Sequence, residues 1–182
     1  MNLANRLTVL RVLLVPVFVT SLLYYSPERP FFHTIGVVTF ILACVTDAAD
    51  GYIARRLDQI TVLGSYLDPI ADKLLLLSGF LCLSFMSNLP ASIQIPAWVT
   101  ISVVARDMII LIGSTMIFLT TGGFKAEPLF IGKVTTFFQM LTLFISLMGL
   151  PQPIQPFLFV LTTALTVLSG IEYIRVGGKL LR

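Results

Sequence analysis

The sequence predicts an all-α, polytopic membrane protein of six transmembrane helices, and three observations carry that prediction. The first is composition: 57% of the 182 residues are hydrophobic and 12% are charged, and the mean hydropathy of +0.96 is far above that of a soluble domain. The second is length, because six apolar runs match the roughly 17 to 25 residues that a helix needs to cross a bilayer core. The third is punctuation: the intervening stretches carry turn residues, and their cations alternate in sidedness. Six such helices account for the whole chain, so residues 1–182 are read as one domain.

The first segment, Leu7 to Tyr25, ends at Ser26-Pro27. Arg6 and Arg11 beside an apolar run resemble a signal peptide, but the run is long, contains Pro16 and meets no A-x-A site, so it is read as a retained helix. The second, Phe31 to Ala54, starts after Pro30; the third, Leu67 to Met86, stops before Asn88-Leu89-Pro90. The fourth, Ile95 to Thr120, opens near Trp98, an interfacial anchor, and closes at Gly122-Gly123. The fifth, Val134 to Leu150, is stopped by Pro151 and Pro153, and the sixth runs from Ile154 to Ile174. Cys44 and Cys82 lie inside apolar runs and read as small buried hydrophobes. His33 is isolated near a segment end and reads as interfacial.

Arg6, Arg11, Arg55, Arg56, Lys125, Lys133, Arg175, Lys179 and Arg182 fall on one side, and the opposite stretches hold only Arg29. By the positive-inside rule, both termini and the segment after the second helix face the cytoplasm. The net charge of +3 is then chiefly a topology signal, and it suits a surface that handles acidic lipids. Nucleic acid has no place in this reading. The absence of an Arg-rich transit segment points to a bacterial inner membrane rather than an organellar one.

Between the second and third segments the chain reads DAADGYIARRLDQITVLGSYLDPIADK, from Asp47 to Lys73. Asp47 and Asp50 are three apart and Asp68 and Asp72 four apart, so on helices each pair shares a face. A charge deep in a membrane helix costs about 2.5–3.5 kcal/mol on insertion scales, so these carboxylates call for a cationic partner. Hard Mg²⁺ or Mn²⁺ takes oxygen ligands, and two such ions can share carboxylates. The stretch from Asp47 to Lys73 contains no His or Cys to favour zinc. A structural salt-bridge network with Arg55, Arg56 and Lys73 is the alternative that spacing leaves open. Gly51, Ala54 and Gly64 flank the carboxylates, either for close helix packing or to let a nucleotide diphosphate approach the backbone, with Arg55 as a fork for phosphate oxygens.

The pattern D-x2-D-G-x2-A-R-x8-G-x3-D-x3-D is complete as Asp47, Asp50, Gly51, Ala54, Arg55, Gly64, Asp68 and Asp72, and it resembles the signature of the CDP-alcohol phosphatidyltransferases. Asn5, Thr8 and Arg11 in NRLTVLR, the ARD of Ala105 to Asp107, GKVTTFFQ from Gly132 to Gln139, and SGIEYI from Ser169 to Ile174 are similar to further family segments. The resemblance implies a six-helix membrane enzyme, usually a homodimer, with a polar cavity open to the cytoplasm. It implies transfer of a phosphatidyl group from CDP-diacylglycerol to an alcohol, with release of CMP. Carried over by position, Asp47, Asp50, Asp68 and Asp72 bind two divalent cations, and Asp72 is also the base that takes the acceptor's proton. Gly51, Ala54, Arg55, Gly64 and Ser65 surround the CDP, and Asn5, Thr8 and Arg11 support the site.

Two acceptors compete. Relatives that use glycerol 3-phosphate resemble this chain in NRLTVLR, LDPIADK and SGIEYI, but typically carry two further cations where this sequence has Thr135 and Ser114. VARDMIILIGSTMIF and PLFIGKVTTFFQ look closer to the cardiolipin synthases, which use phosphatidylglycerol, an acceptor with one negative charge and two acyl chains. The expectation is therefore phosphatidylglycerol, with glycerol 3-phosphate as the alternative and Arg106 and Lys133 holding the acceptor or lipid phosphate. Snorkelling or positive-inside duty is the alternative for these two. A channel or transporter would place carboxylates near the bilayer midplane, whereas these cluster near the cytoplasmic ends in a fixed pattern with Gly and Arg.

Overall fold

In the computed structural model the backbone is described for residues 3–57, 62–121, 130–150 and 154–180, and side chains for 9–47, 73–116, 119, 130–150 and 154–178. Among the described residues there are six helices: α1 (Leu3–Leu23), α2 (Phe31–Leu57), α3 (Val62–Phe85), α4 (Ala97–Thr121), α5 (Phe130–Leu147) and α6 (Ile154–Leu180). Each coincides with a predicted segment. The largest shifts are at the starts of α1, α3 and α5 and the end of α6, where the helix runs past the expected apolar stretch. Helical hydrogen bonding does not stop where hydrophobicity stops. The Gly122-Gly123 turn and the prolines at 151 and 153 lie outside the described residues.

The helices invert the soluble pattern. Phe31, Leu119, Phe130 and Phe157 are all more than 65% exposed, while Thr135, Gln139, Thr142 and Ser146 on α5 are at most 1% exposed. This is the arrangement lipid requires, since hydrocarbon solvates Phe but offers no partner to a hydroxyl or amide. Ala97–Met116, Phe130–Leu147 and Ile154–Gly178 are long and apolar enough to cross a membrane. The protein is an integral membrane protein.

The chain forms two compact units, residues 1–94 and 95–182. In the first, α1 packs against both α2 and α3. The α1–α2 pair is antiparallel in one register: Ser21 and Leu22 face Gly36, Phe18 stacks on Phe40 with ring centroids 5.9 Å apart, and Arg11 meets Asp47. Gly36 permits this approach, because a Cβ there would lie 3.0 Å from Ser21 Oγ and 3.2 Å from Leu22 Cδ2. Asn88, beyond α3, donates from Nδ2 to the carbonyls of Leu22 at 2.9 Å and Tyr25 at 3.0 Å, and so caps the end of α1, where Leu22 O also accepts from Tyr25 N–H at 3.4 Å.

In the second unit α6 packs against both α4 and α5. A buried polar seam joins α5 to α6. Gln139 Nε2 donates to Thr166 Oγ1 at 3.2 Å, the Thr142 and Thr162 hydroxyls bond at 2.7 Å, and Thr135 Oγ1 donates to Leu165 O at 3.2 Å. Such bonds between membrane helices contribute about 0.6 kcal/mol each, and rarely more than about 1.7. Their greater contribution is to register, because Gln139 Nε2 would lose Thr166 on slipping, whereas the threonine hydroxyls also bond carbonyls of their own helices.

α5 ends in a Schellman turn: Gly149 N–H donates to Ser146 O at 2.9 Å, Leu150 N–H to Ile145 O at 3.4 Å, and Gly149 has φ of 61°. Gln155 Nε2 then ties the start of α6 to Leu150 O at 2.9 Å. Because an L-residue in the left-handed region costs about 1–2 kcal/mol, Gly149→Ala is expected to lower stability by that amount, read as a reduced melting temperature in detergent micelles.

Candidate active site

In the first unit the described part of the site is an ion pair. Arg11 Nη2 lies 2.9 Å from Asp47 Oδ1. The partners are unequally placed: the arginine side chain is 1% exposed and the aspartate side chain 36%. α1 brings the guanidinium in because Arg11 lies on the same stripe as Phe18 and Leu22, both fully buried, which face α2 and α3.

Asp47 and Asp50 both lie on α2, and Asp68 and Asp72 on α3, so the one-turn spacings are realised on helices. Gly51, Ala54 and Arg55 continue α2, Gly64 and Ser65 lie in the first turn of α3, and Asn5 and Thr8 are in α1. Of these, only Asp47 has a described side chain; the contacts of Asn5, Thr8, Asp50, Gly51, Ala54, Arg55, Gly64, Ser65, Asp68 and Asp72 lie outside the described residues. The donor set is carboxylate oxygen throughout, which fits a hard divalent cation and not a soft one.

The second unit brings three separate sequence motifs to one guanidinium. Arg106 on α4 donates from Nε at 3.3 Å and from Nη2 at 2.9 Å to Ser169 Oγ on α6. Nη1 pairs with Asp107 Oδ1 at 2.9 Å. Gly132 on α5 makes room, since a Cβ there would stand 3.2 Å from Nη2. Arg106 is buried, so this is a desolvated cation with a fixed fork and a counter-ion that is itself nearly buried. Lys133, the next residue on α5, is exposed. A guanidinium has five N–H donors, and the three contacts above leave capacity for an anion's oxygens.

Two positions that entered the acceptor argument are also described. Thr135 is fully buried in the α5–α6 seam, where its hydroxyl also donates to Ile131 O at 2.8 Å. Ser114 bonds Leu111 O at 3.0 Å within α4. Sequence reasoning missed the Ser169–Arg106 bonds and the seam. The seam had a signal: Thr135, Gln139, Thr142 and Ser146, and Thr162, Thr166 and Ser169, recur at spacings of three and four, the period of one helix face.

A family model described as CDP-alcohol phosphatidyltransferase matches residues 1–168. The chain belongs to the CDP-alcohol phosphatidyltransferase family. Among its relatives in this family, a Mycobacterium tuberculosis protein named "Probable phosphatidylglycerophosphate synthase" is 33% identical over 177 residues, covering 95% of this chain and 80% of the relative. A Bacillus subtilis protein named CDP-diacylglycerol--glycerol-3-phosphate 3-phosphatidyltransferase is 32% identical over 187 residues, with 94% and 93% covered. A Rickettsia bellii protein of the same name is 34% identical over 148 residues, with 81% and 76% covered. This phosphatidyltransferase is therefore an enzyme of phospholipid synthesis, and its fold is the all-helical membrane fold of the family.

The Arg106 cluster makes a prediction of its own. Ser169→Ala removes the acceptor of two guanidinium bonds and leaves a buried cation less satisfied, at an expected cost of about 1–3 kcal/mol. Thermal unfolding of the variant in micelles measures it, and Ser169→Thr, which restores a hydroxyl, is expected to recover part of the loss.

Proposed function

We propose that the enzyme transfers a phosphatidyl group from CDP-diacylglycerol to glycerol 3-phosphate, releasing CMP, with Asp47, Asp50, Asp68 and Asp72 binding two Mg²⁺ or Mn²⁺ ions. The observation that carries the reading is the eight-position motif lying on α2 and α3, in a chain whose relatives bear that enzyme's name. This order of acceptors corrects the sequence-based expectation, which placed phosphatidylglycerol first. That expectation rested on the missing cations at positions 135 and 114, and position 135 faces the interior of a helix seam, which weakens its value as a sign of acceptor choice. Phosphatidylglycerol stays as the second reading, favoured by the uncharged Ser114.

The chemistry follows from the residues. The acceptor oxygen attacks the lipid-bearing phosphorus of the pyrophosphate, and the bond from that phosphorus to the bridging oxygen breaks as CMP leaves. Asp72 takes the acceptor's proton; a carboxylate of ordinary pKa near 4 is a weak base for an alcohol, so it acts through position. Divalent cations held by Asp47, Asp50, Asp68 and Asp72 would neutralise charge at the phosphate oxygens and polarise the hydroxyl. Arg55 offers a fork to the pyrophosphate, while Gly51, Ala54, Gly64 and Ser65 leave room for the cytidine diphosphate. Arg106 and Lys133 hold the acceptor's phosphate, and Asn5 and Thr8 support the site from α1. The Lys and Arg distribution supports a cytoplasmic active site, and the membrane of the proposal is a bacterial inner membrane. The match across residues 1–168 supports a single functional domain, and the resemblance supports a homodimer.

Purified protein with CDP-diacylglycerol and either acceptor tests this. Phosphatidylglycerophosphate is expected from glycerol 3-phosphate; cardiolipin formed only from phosphatidylglycerol would reverse the order again. Asp72→Asn is expected to reduce CMP release by about 10²-fold or more, and EDTA to abolish it until Mg²⁺ or Mn²⁺ is returned. Arg106→Met is expected to raise the KM for glycerol 3-phosphate about tenfold or more, with a smaller effect on the KM for CDP-diacylglycerol.

A further inference from the structure

We infer that Arg11 is a positioning residue for the divalent-cation site: its buried guanidinium fixes the Asp47 carboxylate through Oδ1, leaving the second oxygen as the ligand. The inference rests on the reading of Asp47 as a cation ligand. Three observations support it. Arg11 is fully buried on α1, and its Nη2 meets Asp47 Oδ1 at 2.9 Å as a charge contact, with Nη2 and Nε making no aligned hydrogen bond among the described residues. The Asp47 side chain is 36% exposed, so the pair lies at the edge of the interior, with the arginine on the inner side. The helices beneath the pair are locked in register by the Gly36 notch and the Phe18–Phe40 contact, so Arg11 has one fixed place from which to act.

A buried arginine beside a carboxylate has two readings, and they differ in sign. If Arg11 only compensates charge, it competes with the divalent cation, and removing it takes away a repelling neighbour and tightens binding. If it orients the ligand, removing it lets Asp47 rotate and loosens binding, as loss of a partner behind a metal ligand typically does, by about 10–100-fold. Two divalent cations bound by the four carboxylates would balance their charge, so charge alone would not call for another fixed cation. What Arg11 adds is geometry, and the planar fork of arginine holds a carboxylate better than a lysine ammonium does.

The test titrates Mn²⁺ into full-length protein in detergent micelles and follows free Mn²⁺ by its paramagnetic resonance signal, for wild type, Asp47→Asn, Arg11→Lys and Arg11→Met. Arg11→Met is expected to weaken Mn²⁺ binding about tenfold or more, with Arg11→Lys in between. CMP release by Arg11→Met is expected to recover toward wild type as Mn²⁺ is raised, which a purely structural defect would not allow. Unchanged or tighter binding in Arg11→Met overturns the inference while leaving Asp47 as a ligand. Wild-type binding in Asp47→Asn overturns that reading, and the role of Arg11 with it. Should Arg11→Met fail to fold, Arg11→Lys decides: weaker binding supports positioning, and wild-type affinity refutes it.

Discussion

Hydrocarbon has no hydrogen-bond donors or acceptors, and most of this structure is a response to that fact. Many polar side chains within the membrane helices therefore turn inward, and most find a partner in the protein, with Ser146 Oγ, Thr163 Oγ1 and the Tyr173 hydroxyl buried without one among the described residues. The second unit does so with hydroxyl and amide pairs along α5 and α6, and with the Arg106, Asp107 and Ser169 cluster. The first unit does so with Arg11 and Asp47. Large apolar side chains, freed from forming the core alone, turn outward.

That inversion decides what could be read from the sequence. The six helices were legible because length and hydropathy report the solvent directly, and the bilayer sets both. Helix ends were less so: α3 and α6 extend through Gly64 and Ser65 and through Gly177 and Gly178, where composition suggests a stop but nothing breaks the backbone ladder. The carboxylates were legible because charge in such a chain is rare. Thr135, Gln139 and Thr166 were not, since each is unremarkable alone and its meaning lies in the helix opposite.

The same limit explains the acceptor argument. A substitution at position 135 was weighed as a lost phosphate contact, because a sequence gives residue type but not the direction of a side chain. On the helix that position faces the seam, where a threonine hydroxyl reaches Leu165 O. By contrast Arg106 was assigned an anion-holding role from its motif, and in the fold it is buried, paired with Asp107 and Ser169, with its tip packed close against Gly132.

Gly36 is the far end of a ruler. It lies eleven residues before Asp47 on the same helix, about 16 Å at the α-helical rise, near the opposite end of the hairpin. No carboxylate is within its reach, yet the contact it permits sets how α2 is phased against α1, and hence which rung of α2 is presented to Arg11. One missing methyl group at one end of the hairpin thus calibrates the position of a charge at the other, and selection for catalysis would be felt at a site with no chemistry of its own.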